Sequence, residues 1–216
     1  MASAKEGTSL KSCTWASVWM LLLQLCSDHG AAGRAYCVGT TVLLDLNGNL
    51  SVDKSHDVRW NWNDQPVTRH QKRIFSTLPN KKQFRLFENG TLEILEGNQN
   101  DSGFYSVEIF NKGGTHLLHL NFSIIFLEPI FALKILQSCL EGKNITVTCS
   151  ADRGDDVLFL WKWVFNGTNQ TVKSSAEPDK LTVHIQFEDG PPEGLICEAR
   201  NAVSEMRAEV PACRGT

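Results

Sequence analysis

Cys149 and Cys197 bracket Trp161 and Trp163, and that order constrains this chain more than any other feature. Cys149 closes the run Asn144-Ile145-Thr146-Val147-Thr148-Cys149, where apolar side chains recur at every second position. Cys197 lies in a second such run, Leu195-Ile196-Cys197-Glu198-Ala199. Period two marks a strand with one buried face. Two strands joined by a cystine, with a tryptophan on a strand between them, describe two sheets packed face to face. Cys149 is therefore expected to bond to Cys197. Cys139 and Cys213, the other cysteines of this half, then pair by elimination and tie its first strand region to its last. Pro129 opens the segment, and Phe131-Ala132-Leu133-Lys134-Ile135-Leu136 supplies its first strand.

Disulfides need an oxidising compartment, and the N-terminus supplies a route to one. Lys5 and Lys11 precede the apolar run Trp15 to Leu25, which is too short to span a bilayer but suits a secretory signal. Small residues at Gly30, Ala31, Ala32, Gly33 and Ala35 offer cleavage sites, so residues 1–32 are expected to leave, with Cys13 and Cys26. Cys37 is left over, as a free thiol, an intermolecular bridge or a neighbour of the cleavage site. Secretion also turns Asn-x-Ser/Thr into a glycan acceptor. Seven sequons begin at Asn49, Asn89, Asn100, Asn121, Asn144, Asn166 and Asn169, mostly beside turn residues, and predict a heavily glycosylated surface. No second long apolar run follows, so the expected product is secreted or is the outer part of a longer surface protein, with no membrane insertion by these residues.

The first half repeats the sandwich pattern with one substitution in its logic. Strands are expected at Thr40 to Leu46, Val58 to Trp62, Phe84 to Phe87, Thr91 to Leu95 and Tyr105 to Phe110. A hairpin turning at Asn111-Lys112-Gly113-Gly114 returns through Leu118, Leu120, Phe122 and Ile124. Asp101-Ser102-Gly103-Phe104-Tyr105 matches the immunoglobulin turn into strand F, where the tyrosine hydroxyl bonds back to upstream backbone, and Trp60 takes the place of the buried strand-C tryptophan. The cysteine pair is missing: Val107 and Leu44 stand in its places. Two aliphatic side chains fill that gap for about 1.5–3 kcal/mol of burial each, but forgo the cross-link's restriction of the unfolded chain, typically about 2–4 kcal/mol.

The chain has 216 residues, and removal of the signal leaves room for two immunoglobulin-like sandwiches of roughly 100 residues each. The expected fold is all-β: residues 33–128 form a V-type domain without an inter-sheet disulfide, and residues 129–216 a C2-type domain with two nested disulfides. The net charge of −3 is spread without a basic stripe, which argues against nucleic acid as a partner. No enzyme signature is present, since no serine has a nucleophile-elbow sequence and the glycine pairs lack a strand–loop–helix context. His116 and His119, three apart on a strand, are expected to point to opposite faces, so the sequence calls for no metal and no cofactor.

These residues carry a resemblance. Leu43 to Leu46, Val58 to Trp60, Phe84 to Leu92, Asp101 to Tyr105 and Cys197 to Ser204 with the following Cys213 resemble the T-cell adhesion receptor and signalling lymphocytic activation molecule (SLAM) family. The short first strand and Cys37 depart from it. The resemblance implies an immune adhesion or co-stimulatory receptor, at the extracellular face of the plasma membrane or secreted. Its first domain would meet a similar immunoglobulin domain on another cell, heterophilically or homophilically, through the face of strands G, F, C and C′. The pleat then selects the contact residues. Arg59 and Asn61 point outward opposite Trp60, and Ser106, Glu108 and Phe110 opposite Tyr105 and Val107. Arg69, Lys72 and Arg73 add a basic cluster near Phe75, and Lys112 flanks Phe110, the expected exposed anchor. A glycan on Asn121, on the same face, would confine the contact to the upper sheet. The alternative is a secreted decoy, virus-encoded in one form of this reading, that blocks a host receptor of the family. A structural or Fc-binding protein would instead have paired its cysteines in the first sandwich.

Overall fold

The computed structural model describes residues 33 to 211, apart from 47, 72–73, 78–82, 141–143, 166, 174–179, 187–191 and 193. The chain divides into two compact units, one ending at Leu127 and the other opening at Glu128. Each is a pair of sheets, as the alternation requires.

In the first unit, β1 (Arg34–Cys37), β2 (Val42–Leu44), β3 (Asp57–Trp62), β4 (Gln65–Gln71), β5 (Ile74–Thr77), β6 (Phe84–Leu86), β7 (Leu92–Ile94), β8 (Gly103–Phe110) and β9 (His116–Leu127) follow in order. One sheet has the order β1-β9-β8-β3-β4-β5 and the other β2-β7-β6. β1 lies parallel to β9, while the other pairings of the larger sheet are antiparallel. The core between the sheets is apolar, with Leu44, Trp60, Leu92, Ile94, Tyr105, Val107 and Ile109 fully buried. Leu44 and Val107 thus occupy the interior that a cystine would bridge, as the sequence predicts. The Trp60 indole nitrogen donates to the Gly90 carbonyl at 2.9 Å, so its one polar group is satisfied inside the core.

The turn into β8 is built as expected. The Tyr105 hydroxyl donates to the Asp101 carbonyl at 2.6 Å. Asp101 closes a 3₁₀ turn, Gln99–Asp101, capped by Asn98, whose backbone N–H donates to the Asp101 carboxylate at 3.0 Å. Gly103 has φ +147° and lies against the Asn63 carboxamide, which sits where a Cβ would go. Asn63 and Asp64 both have positive φ, 46° and 60°, the geometry of the two-residue turn that joins β3 to β4. The Asn63 side chain accepts from Phe104 N–H at 2.9 Å and pins this hairpin to the start of β8.

In the second unit, β10 (Phe131–Leu140), β11 (Asn144–Arg153), β12 (Leu158–Phe165), β13 (Thr168–Lys173), β14 (Lys180–Gln186), β15 (Leu195–Arg200) and β16 (Glu205–Val210) form two sheets, β10-β11-β14 and β13-β12-β15-β16. The Cys149–Cys197 disulfide joins them, with both cysteines fully buried. Trp161 is the core tryptophan: it sits opposite Cys197 in the β12–β15 register, and its indole nitrogen donates to the Leu181 carbonyl at 3.1 Å. Trp163 is only half-buried. Cys139 is disulfide-bonded; its expected partner, Cys213, lies outside the described residues. Cys37, left over by the sequence pattern, is buried and disulfide-bonded in this structure.

Candidate functional site: the open face of the larger first sheet

Strands β4, β3, β8 and β9 present one face away from the core, and their register arranges it in rows. Arg69, Arg59, Glu108 and His119 lie opposite one another in one row, and Pro66, Asn61, Ser106 and Asn121 in the next. Asp57, Phe110 and His116 form a third, on the side nearer the β8–β9 turn. Arg59, Asn61, Ser106 and Glu108 are half-buried side chains of this face, as the pleat predicts, and His119 and Asn121 are exposed. Arg69 holds a register position beside Arg59, while Lys72 and Arg73 lie outside the described residues. Lys112 is exposed in the β8–β9 turn, where Asn111 Oδ1 accepts from the N–H groups of Gly113 and Thr115 at 2.9 Å each.

The centre of the face is a stack. Asp57 Oδ2 accepts from Arg59 Nε at 3.0 Å and Nη2 at 2.7 Å, and the guanidinium carbon sits 4.4 Å from the Phe110 ring centroid. A cation held over an aromatic face and fixed by a carboxylate is well ordered for an exposed group. The His116 ring meets Phe110 edge-on, with centroids 5.2 Å apart. Phe110 therefore faces outward yet is half-buried, covered by its own neighbours and not standing free. The prominent exposed aromatic is Phe104, 71% accessible at the far end of β8. The alternation that puts Glu108 outside also puts Phe104 outside; its place in the tyrosine-corner motif masked that signal.

The second correction concerns the histidines. His116 and His119 do not diverge: their ring centroids are 6.4 Å apart. Strand alternation fails between them because the β8–β9 ladder shifts register at Ile109/Phe110, pairing Ile109 with Leu118 but Phe110 with His116. The extra residue, Leu117, turns His116 back to the face of His119. Glu108 joins them, and the three side chains' ligating atoms lie within 4.8 Å of one another. His119 Nδ1 is 3.9 Å from Glu108 Oε1, and its Nε2 lies 2.9 Å from Asn121 Oδ1.

Of the expected glycan acceptors, Asn49, Asn89, Asn100, Asn121 and Asn144 have exposed side chains. Asn166 lies outside the described residues, as does the Asn169 side chain. Asn121, opposite Ser106, is the acceptor on the open face.

No protein-family model matches the chain. It is similar to T-cell surface antigen CD2 of Macaca fascicularis, 28% identical over 212 residues that cover 93% of this chain and 57% of that protein. CD2 of Homo sapiens is 28% identical over 153 residues, covering 67% of this chain and 42% of that one. The chain spans about half the length of the curated relatives it matches. Among solved structures, the CD2-binding domain of CD58 superposes with a TM-score of 0.60 at 21% identity, covering 84% of this chain and 97% of that one. Bovine butyrophilin gives 0.62 at 15% identity, with 86% and 97% coverage. Both units therefore have the immunoglobulin-like sandwich fold. Like the surface antigens it resembles, the chain is extracellular and not an enzyme, and the structural likenesses describe its sandwiches.

Proposed function

We propose that the chain is the ectodomain of an immune adhesion receptor of the CD2 and SLAM type, and that the face of β9, β8, β3 and β4 is its contact surface. The observation that carries this reading is the character of that face. Charged and polar side chains alternate along it in register, Phe110 lies beneath Arg59, and a broad sheet surface stays accessible. Complementary charge gives such a contact specificity and fast encounter more than affinity. The partner is an immunoglobulin domain of the same family on another cell, or a second copy of this chain. Arg59, Asn61, Arg69, Arg73, Glu108, Phe110 and Lys112 are its contact residues. Residues 1–32 act as signal peptide, followed by domains at 33–128 and 129–216. A sugar on Asn121, opposite Ser106, confines the contact to the rows nearer the β8–β9 turn. The likeness to CD2 along most of the chain supports the receptor reading over the decoy.

Surface plasmon resonance of the secreted, glycosylated chain against CD2-related ectodomains and against itself tests this. One member should bind with micromolar affinity and rapid release, and Arg59→Ala and Lys112→Glu should each weaken it at least tenfold. Arg207→Glu, exposed in the second unit, should change nothing. Slow release over hours would favour the decoy instead. Binding that ignores both first-domain variants would refute the assignment of the face.

A further inference from the structure

We propose that Glu108, His116 and His119 form a zinc site on the open face of the first domain. The ligand chemistry is two imidazole nitrogens and one carboxylate oxygen, a set that suits zinc and related transition metals and not calcium or magnesium, which take oxygen ligands. The ligating atoms already lie within 4.8 Å of one another. A tetrahedral zinc ion with bonds of about 2.0–2.1 Å draws its ligand atoms to roughly 3.4 Å apart. The remaining closure is within reach of side-chain rotations, because both histidines are exposed and Glu108 is half-buried.

Two further observations bear on the histidines. His119 Nε2 is engaged at 2.9 Å by Asn121 Oδ1, an acceptor, so the proton belongs on Nε2 and the Nδ1 lone pair is left toward Glu108. An outer partner on the second ring nitrogen is how metal-binding histidines are oriented. A glycan on Asn121 would bond to its Nδ2 and leave Oδ1 free for that role. His116 is oriented by its edge contact with Phe110, and the bulge at Leu117 puts it on the correct face. Three protein ligands leave a fourth position, open to water on an exposed surface.

The test needs no binding partner, so it can fail independently of the adhesion reading. Untagged, glycosylated chain is titrated with zinc by calorimetry and with Co2+ by visible absorption. One ion should bind per chain, and Co2+ should give the intense visible bands of a four-coordinate site. His116→Ala, His119→Ala and Glu108→Gln should each raise Kd at least tenfold, while His184→Ala, on β14, leaves it unchanged. Circular dichroism checks that each variant is folded. Asn121→Ala should weaken binding about tenfold through loss of the oriented ring, and Ser123→Ala, which removes the sequon but keeps Asn121, should not. Absence of saturable binding up to millimolar zinc, or binding that survives His119→Ala in a folded variant, would overturn the site.

Discussion

Replacing Tyr105 with phenylalanine isolates one hydrogen bond in the first domain. The ring is fully buried, edge-on to Phe84 with centroids 6.1 Å apart and stacked with Trp62 at 6.4 Å, so phenylalanine keeps the packing. What goes is the 2.6 Å bond to the Asp101 carbonyl. A neutral intramolecular hydrogen bond contributes about 1 kcal/mol net, and a buried acceptor left short of a donor adds to the loss, for about 1.5 kcal/mol in all. In a domain of this size that is about 6–12 °C in Tm, from roughly 4–8 °C per kcal/mol.

The same residue makes a pH prediction with a definite sign. Burial pushes the Tyr105 hydroxyl well above the ordinary tyrosine range, and the nearby Asp101 charge pushes the same way. Folding thus favours the protonated form. The unfolded chain's tyrosine ionises near pH 10, so above that the unfolded state holds fewer protons than the native one. The stabilisation is complete below about pH 10 and is lost as pH rises further. Calorimetric scans between pH 8 and pH 11.5 should show the wild-type first-domain transition falling more steeply above pH 10 than that of Tyr105→Phe. Equal stability at pH 8 would refute the hydrogen-bond argument, and parallel decline at high pH the burial argument.

Paired Cys149→Ala and Cys197→Ala should lower the stability of the second unit alone. The bond closes a separation of 48 residues, worth about 4 kcal/mol of loop entropy, and a denaturant titration reading each transition separately measures it. Gly97→Ala places a methyl group where the Phe126 ring lies, and that ring is itself held 6.1 Å from Tyr36. The overpacking should cost about 1–3 kcal/mol. A Tm unchanged within a degree would show that Phe126 moves freely.

Where local pattern and global packing agreed, the sequence was legible. Cys149, Trp161 and Cys197 declared a cross-linked sandwich, and Asp101 to Tyr105 declared the corner of another. Leu44 and Val107 declared its uncross-linked core, because the periodicity around each gives the same inward face. Arg59, Asn61, Ser106 and Glu108 followed from the pleat. The misses share a physical cause. The bulge that brings His116 beside His119 arises where β8 and β9 must accommodate their turn, and nothing in His-Leu-Leu-His announces an extra residue. Phe110 was read as free because Arg59 reaches it from another strand, a contact alternation cannot see. The polar run Gln65 to Gln71 shows no clean alternation, yet it pairs with β3 and extends the face.

The way the charges of this face are already paired bears on how it could hold a partner. Arg59 is bound by Asp57 at 2.7 Å and rests on Phe110. A carboxylate on a facing domain would have to share the Arg59 guanidinium with Asp57. The net gain is the difference between two similar ion pairs, less the desolvation of the newcomer. Long-range attraction is less affected, since the partner feels the field of the rows before any pair is exchanged. Such a face favours fast encounter and modest final affinity, a combination suited to contacts that form and break in large numbers between apposed cells. The cation–π stack also holds Arg59 in one conformation before contact, so little side-chain entropy remains to be lost.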